Sequence, residues 1–180
     1  IPFLRSKFYD MYYDRYLRPI RDMVWLNMER VLPYHKFLPS TLLASLVGIC
    51  DIPKPTNEVN KQITTSSPQQ IAIEKPEIVL LQDTFTTYFR PAPLFAMIKI
   101  LKHLGKRFAI LPIRANGKPL HVRGALNAFN KVAKDNIDWI MPVHNLKIPI
   151  IGIDPSATLL WRNEYPNDQN IEVLLPQEWL

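Results

Sequence analysis

The segment of the chain most able to do chemistry is a short polar stretch, residues 112–123. The side chains there that could hold a carboxylate or a phosphate surround Gly117: Arg114, Asn116, Lys118, His121 and Arg123. Arginine and lysine form charge-assisted hydrogen bonds with such anions, and a glycine lets backbone N–H groups approach them closely. Asn-Gly is also a strong turn signal, so the same stretch could be a turn with a solvated basic rim. The residues alone leave both interpretations open.

No other motif indicates a self-sufficient enzyme, and we assign no catalytic and no metal-binding residue. The sequence lacks the glycine-rich phosphate loops, the zinc-protease helix motif and the serine-hydrolase elbow. Cys50 is the single cysteine and lies close to Ile49 and Ile52, so we interpret it as a small buried apolar residue rather than a nucleophile. One cysteine cannot form an internal disulfide, a cysteine-ligated iron–sulfur site or a four-cysteine zinc site.

Composition excludes several classes of protein. The 180 residues are 47% hydrophobic and 21% charged, which is typical of a globular domain. The apolar runs are far shorter than the roughly 18 residues expected of a membrane span. The net charge of +6 would permit a nucleic-acid partner, but lysine and arginine occur in ones and twos with no run of five like charges. We therefore predict no nucleic-acid partner and no membrane span.

The elements that must position the polar segment are those of an α/β fold, which we predict from Glu77 onwards as a short parallel β-sheet flanked by helices. Apolar runs predict strands at 78–81, 108–111, 148–153 and 171–175, with helical stripes between them at 94–104 and 122–140. Asp154-Pro155 predicts one more helix start, with an N-cap acceptor and a proline in the first turn. Loops 82–89, 112–123 and 154–158 should meet at the carboxyl edge of this sheet, where ligands gather.

The rest of the chain divides by composition. Residues 1–50 carry apolar positions at helical spacing and predict a helical segment, whose tyrosine-rich face we expect to pack against a neighbouring domain. Residues 51–76 are rich in proline and small polar residues and predict a linker or long surface loop. Residues 77–180 form the α/β domain. The apolar last residues lead us to expect a piece of a longer polypeptide.

Several stretches resemble a known family. Those that match are 80–89, 112–124, 152–157 and 162–165, with 1–8 and 15–19 at the start. The stretches 80–89, 112–124, 152–157 and 162–165 resemble the first half of the cysteine-rich CCG domain. Taken together, the stretches are similar to the C-terminal region of large bacterial FAD-linked, iron–sulfur D-2-hydroxyglutarate dehydrogenases of the YdiJ type, with 1–50 continuing a ferredoxin-like domain. The likeness is weakest at 50–75.

The match departs from the family at its cluster ligands. Thr84 stands where a cluster-binding repeat has its first cysteine, Ala115-Asn116-Gly117 replaces Cys-Cys-Gly, and Asp154 and Ala157 replace the two cysteines of Cys-Pro-x-Cys. Gly117 and Pro155 remain at their matching positions. The resemblance therefore implies a degenerate first CCG repeat that keeps the backbone shape and cannot ligate iron.

The resemblance implies a parent oxidoreductase that oxidises a D-2-hydroxyacid, D-2-hydroxyglutarate above all, at FAD and passes electrons through iron–sulfur centres. This chain would be an accessory part without cofactor or activity of its own. Its partners would be the flavin and iron–sulfur domains of the same polypeptide. The parent would be cytoplasmic, or attached peripherally to the inner face of the membrane.

Two other classes of function stay open at this stage: a standalone anion-binding module and an assembly module without enzymatic role. Either role for the polar segment fits its charge, since it could contact a dicarboxylate or dock an acidic patch on the flavin domain. We also expect a homo-oligomer, because detached apolar helices would expose aromatic and leucine side chains, and such patches drive association.

Overall fold

A computed structural model describes residues 58–122, 124–166 and 170–180. The predicted helical segment 1–50, its tyrosine cluster, Cys50 and Arg123 lie outside the described residues. The described residues belong to one compact unit of the chain, residues 55–180. The elements below are numbered within them.

Four short strands form one parallel sheet: β1 Ile78–Leu81, β2 Phe108–Ile110, β3 Ile150–Gly152 and β4 Val173–Leu174. Their order across the sheet is β2-β1-β3-β4, and every neighbouring pair is parallel. Val79 of β1 lies opposite Ala109 on one side and Ile150 on the other. The predicted α/β class and parallel sheet are confirmed, and β4 is shorter than the predicted strand 171–175.

Helices cover both faces of this sheet. On the first face lie α2 (Pro68–Glu74) and α5 (Leu126–His144), and on the second lie α1 (Glu58–Gln62) and α3 (Ala92–His103). The side chains of β1 alternate between these layers, so Val79 and Leu81 face the first while Ile78 and Leu80 face the second. All four are buried, which explains why β1 is a continuous apolar run.

The remaining elements lie mostly where the strands end. They are a first π-helix at Phe85–Phe89, α4 at Lys118–Val122, α6 at Pro155–Leu159, a second π-helix at Leu160–Glu164, and α7 at Pro176–Trp179. None of the helices in the described ranges has the length and apolar character needed to cross a membrane.

Two helices occupy the part of residues 51–76 that the structure describes, where the sequence predicted a linker or surface loop. Val59 of α1 and Ile71 of α2 are buried in the second and first layers. Helices of 5 and 7 residues are too short to show a sustained 3.6-residue period, which is why composition dominated the prediction. The missed signal is Ser67-Pro68-Gln69-Gln70, a capping box with proline in the first turn.

The predicted long helix 122–140 is interrupted near its start. Gly124 has φ +72°, a conformation that glycine adopts without strain, and it separates α4 from α5. Val122 and Leu126, which the pattern placed on the buried stripe, are 68% and 52% exposed. The sequence predicted one continuous helix because the spacing of apolar residues does not reveal a residue with left-handed backbone angles.

The capping box of α2 gives a direct test of the correction at 58–76. The Ser67 hydroxyl accepts from the Gln70 N–H at 3.2 Å, and the Gln70 side chain accepts from the Ser67 N–H at 2.8 Å. We expect Ser67→Ala to lower the free energy of unfolding by about 1 kcal/mol, the usual effect of losing such a cap.

Chemical denaturation of the two proteins measures this difference. The matched control is Ser66→Ala, because Ser66 is held through its backbone N–H, which donates to the Ile110 carbonyl at 2.9 Å. Equal effects of the two substitutions would contradict the assignment of α2.

Candidate functional site at the carboxyl edge of the sheet

The strand order makes the gap between the ends of β1 and β3 the expected position of a ligand site. The chain passes from β1 to its neighbour β2 and then crosses back over β1 to β3, so the direction of winding reverses between β1 and β3. In open parallel sheets, ligands bind at such a reversal, beyond the carboxyl ends of the strands. Gln82 and Asp83 follow β1 there, and Ile153 and Asp154 follow β3.

Asp83 organises the loop after β1. One of its oxygens, Oδ1, accepts from the N–H groups of Phe85 at 2.8 Å and Thr86 at 3.0 Å, while Oδ2 accepts from the Thr86 hydroxyl. The side chain is 4% exposed. Burial raises the pKa of Asp83, and the nearby Asp154 carboxylate raises it further, against the lowering effect of the hydrogen bonds. The carboxylate thus holds the first turn of the first π-helix.

Gln82 ties the ends of β1 and β2 together. Its Nε2 donates to the Leu111 carbonyl at 2.8 Å, and its Oε1 accepts from the Thr87 hydroxyl at 3.1 Å. Both polar groups of a buried amide are therefore used inside the domain. This fixes the spacing of the two loops that follow β1 and β2.

Asp154 caps the helix that follows β3, as the sequence predicted. Its Oδ2 accepts from the Ala157 N–H at 2.8 Å, and its backbone carbonyl accepts from the Thr158 hydroxyl at 2.8 Å. Gly152, at the end of β3, allows this approach, since a Cβ there would lie 2.2 Å from the Thr158 oxygen. The strand therefore turns directly into α6.

A buried polar network fixes the loop around Gly117. Asn136, on the inner face of α5, donates from Nδ2 to the Ala115 carbonyl and to the Tyr165 hydroxyl, each at 2.9 Å. The Tyr165 hydroxyl in turn donates to the Asn116 carbonyl at 2.7 Å. Two consecutive backbone carbonyls of the loop are thus bonded to side chains from two different elements.

The rest of the loop is equally fixed. The Asn116 side-chain oxygen accepts from the Lys118 N–H at 2.9 Å and so starts α4. Gly117 has φ +79° and packs so closely that a Cβ would lie 3.1 Å from the Phe129 ring. The Asn-Gly turn that the sequence offered as an alternative is therefore present; Asn116 and Gly117 are buried, while Arg114 of the basic rim is exposed.

Two cations of the predicted anion site have partners within the domain, and Arg123 lies outside the described residues. The Arg114 guanidinium lies 5.0 Å from the centroid of the Trp139 ring, on α5, in a cation–π contact. His121 Nε2 lies 3.1 Å from Glu164 Oε2 of the second π-helix, and its ring lies 4.8 Å from that of Phe129. Arg114 and His121 therefore have partners within the domain. Anion binding at this loop stays a prediction, and Lys118 is the remaining described cation that could contribute to it.

The positions implied to be degenerate cluster ligands supply no thiolate. Thr84 is buried at the start of the first π-helix, Ala115 offers only the carbonyl bonded to Asn136, and Asp154 is bonded to the N–H of Ala157. Iron–sulfur clusters in proteins are held mainly by cysteine sulfurs. These residues do not fit a cluster, and within the described ranges no three histidine, cysteine or acidic side chains converge on a metal position.

Sequence reasoning missed the residues that fix the site, namely Asn136, Tyr165, Gln82 and Asp83. One signal was available for Asn136, which falls on the buried stripe of α5 beside Ala133 and Ile137. A polar side chain at a core position needs partners. Nothing local to residue 165 showed that its hydroxyl reaches residue 116, a contact across 49 positions.

The buried Asp83 carboxyl predicts a definite pH dependence. Its raised pKa means that the folded state binds the proton more tightly than the unfolded state does. The measured quantity is the free energy of unfolding of the natural chain minus that of Asp83→Asn. This difference should fall as the pH rises from the ordinary aspartate range, near about 4, to the pKa of Asp83 in the folded state, and it should stay level at higher pH.

The matched control has the opposite sign. The pKa of Glu77, at the surface, is lowered by hydrogen bonds from the Arg107 N–H and from Lys106. The advantage of the natural chain over Glu77→Gln should grow as the pH rises to the ordinary glutamate range. Denaturation curves across this pH range test both. A difference between the natural chain and Asp83→Asn that rises with pH would contradict the account.

Known relatives align with the whole of the chain. D-2-hydroxyglutarate dehydrogenases from Pseudomonas putida, Haemophilus influenzae and Escherichia coli are 36%, 29% and 28% identical to it. Each alignment covers 100% of this chain but only 21%, 20% and 20% of the relative, respectively. No protein-family model and no solved structure matches it. The chain is thus homologous, along its whole length, to about one fifth of these D-2-hydroxyglutarate dehydrogenases, which confirms the resemblance found in its sequence.

Proposed function

We propose that the chain is an accessory docking part of a FAD- and iron–sulfur-dependent oxidoreductase that converts D-2-hydroxyglutarate to 2-oxoglutarate. The names of its relatives support the reaction, and its alignment to 21% of the Pseudomonas protein supports a role as one part of a larger enzyme. FAD, bound elsewhere in the enzyme, would supply the two-electron oxidation of the hydroxyacid, and iron–sulfur centres would supply the onward electron transfer. We propose a cytoplasmic location, with peripheral attachment at the inner membrane face as the alternative.

The observation that carries the accessory role is how the carboxyl edge is used. Its polar groups bond to one another: Asp83 to Thr86, Gln82 to Leu111, Asn116 to Lys118 and Asp154 to Ala157. In the described part of the chain, no buried side-chain nitrogen or oxygen lacks a partner. A site that binds a cofactor or substrate needs polar groups directed at the ligand rather than at one another. This edge is built as a scaffold.

The residues at the edge have definite tasks under this proposal. Asp83 and Asp154 fix the first turns that follow β1 and β3 by accepting backbone N–H groups. Asn136 and Tyr165 hold the carbonyls of the 115–117 loop. None of these groups is free to move a proton to or from a bound substrate, and so the chemistry of the enzyme would take place on other domains.

A standalone anion-binding module is the second candidate, and it has less support. It depends on the cations around Gly117, of which Arg114 lies over Trp139 and His121 pairs with Glu164. An assembly module draws more support from the exposed apolar side chains Phe85, Val122 and Leu126, which are 60%, 68% and 52% exposed. Docking within a larger enzyme accounts for the same side chains.

The test compares the isolated chain with the complete natural enzyme. The purified 180-residue chain should show neither flavin absorbance nor stoichiometric iron, because its single cysteine cannot supply the thiolates of a cluster. The complete enzyme should contain both groups and should oxidise D-2-hydroxyglutarate to 2-oxoglutarate, with L-2-hydroxyglutarate as the control substrate.

Two results would overturn the proposal at different points. Stoichiometric iron in the isolated chain, surviving Cys50→Ser, would show that the first repeat still binds a cluster. If the complete enzyme oxidised no D-2-hydroxyacid, the proposed reaction would be wrong. Iron analysis, absorbance spectra and an assay of 2-oxoglutarate formation decide between them.

A further inference from the structure

We propose that the outer face of α3 and the turn into β2, residues 90–107, form a docking surface for an acidic surface on another domain of the same polypeptide. We call these residues the basic edge. The proposal deepens the docking role proposed above and rests on it, because it requires further domains on the chain.

Charge is strongly segregated along the sequence. Residues 84–134 hold ten lysines and arginines and no aspartate or glutamate, whereas residues 135–180 hold two basic and seven acidic residues. A search for runs of like charge does not find this stretch, because its cations occur in ones and twos. A surface without acidic residues offers an anionic partner no local repulsion.

The edge strands of the sheet lie in the two stretches of opposite charge. β2 is one edge of the sheet and lies inside the acid-free stretch, with α3 packed beside it on the second face. β4 is the other edge and lies inside the acidic stretch. The cations on α5 count for little, since Lys131 and Lys134 have Asp135 and Asp138 four residues further along the helix. The basic edge holds five of the ten cations of the acid-free stretch, namely Arg90, Lys99, Lys102, Lys106 and Arg107.

The basic edge keeps most of its charge unpaired. Glu77 lies 3.1 Å from Lys106 and 4.0 Å from Arg107, so one carboxylate serves two cations there. Lys99 and Lys102 are exposed and form no ion pair within the described residues. No acid of α3 itself can balance them, because the helix contains none.

An apolar strip runs beside these lysines. Ala96, Ile100 and Leu104 follow one another at four-residue spacing, which places them in a row along the helix surface. Ile100 is 39% and Leu104 49% exposed. Cations around a small apolar strip fit the pattern of a protein interface, with an apolar centre and a charged rim. A nucleic acid would use the cations but gain nothing from the strip.

The low affinity expected of this surface indicates what kind of partner it binds. Exposed ion pairs each contribute little free energy, so a few lysines and one short apolar strip bind weakly on their own. A free protein, a membrane or a second copy at micromolar concentration would not stay bound, whereas a domain tethered on the same polypeptide has an effective concentration in the millimolar range. The relatives are about five times as long as the aligned segment. Residues 1–57 hold eight basic and five acidic residues.

The experiment uses the complete natural enzyme and a carbodiimide, which joins a lysine to a carboxylate only when the two are in direct contact. Mass spectrometry should find Lys99 and Lys102 linked to aspartates or glutamates outside residues 1–180. The variant Lys99→Glu/Lys102→Glu should reduce all other links between residues 90–107 and that partner by about tenfold, and raised salt should act in the same direction.

The matched control is Lys75→Glu/Lys147→Glu, which reverses two exposed lysines outside the acid-free stretch and should leave the links unchanged. Links only between copies, or only within residues 55–180, would overturn the proposal. A different partner would also overturn it. In that case the natural enzyme would show no interdomain links but would bind phosphatidylglycerol vesicles or duplex DNA, and the Lys99→Glu/Lys102→Glu variant would lose that binding. Because links and D-2-hydroxyglutarate oxidation are measured separately, failure of the docking surface is distinguishable from failure of the proposed reaction.

Discussion

The Tyr165 hydroxyl holds together the part of the domain on which the carboxyl edge depends. It accepts from Asn136 and donates to the Asn116 carbonyl, while Asn136 also donates to the Ala115 carbonyl. The centroid of the Tyr165 ring lies 4.6 Å from that of Trp161 and 5.7 Å from that of Phe129, so packing of these rings fixes the position of the hydroxyl. A backbone turn with two buried carbonyls is stable only if both are bonded. These side chains supply the bonds, and Gly117 can then lie against Phe129.

This network gives a physical meaning to the lost cysteines. The family resemblance implies that a cluster-binding repeat holds the corresponding loops through metal–sulfur bonds. In this chain the same loops are held by Asp83, Asn136, Tyr165 and Asp154 through hydrogen bonds to backbone groups. Among the described residues, hydrogen bonds thus do the positioning that metal–sulfur bonds would do in such a repeat.

The sequence predicted the parts that local physics determines. The runs at 78–81 and 108–111 became β1 and β2 because strands covered on both faces are apolar throughout. Asp154 became an N-cap because a carboxylate before proline satisfies the first N–H groups of a helix. The two π-helices, α1 and α2 were missed because each spans too few residues to show a period, and α2 was marked only by its capping box.

The candidate site was less predictable than the fold for a different reason. Arg114, Lys118 and His121 were correctly placed after β2, but their partners Trp139 and Glu164 come from distant parts of the chain. Spacing along the sequence cannot show whether a cation is free or already engaged. Counting runs of like charge also missed the basic edge, because its signal is the absence of acids over 51 residues rather than any cluster of bases.

The claim that Asn136 and Tyr165 together hold the 115–117 loop is tested most directly by a double-mutant cycle of Asn136→Ala and Tyr165→Phe in the natural chain. The two side chains share one hydrogen bond and one loop, so their effects on the free energy of unfolding should be coupled by about 1 kcal/mol. Effects that add to within about 0.3 kcal/mol, as expected of independent sites, would contradict the account and assign the loop another support.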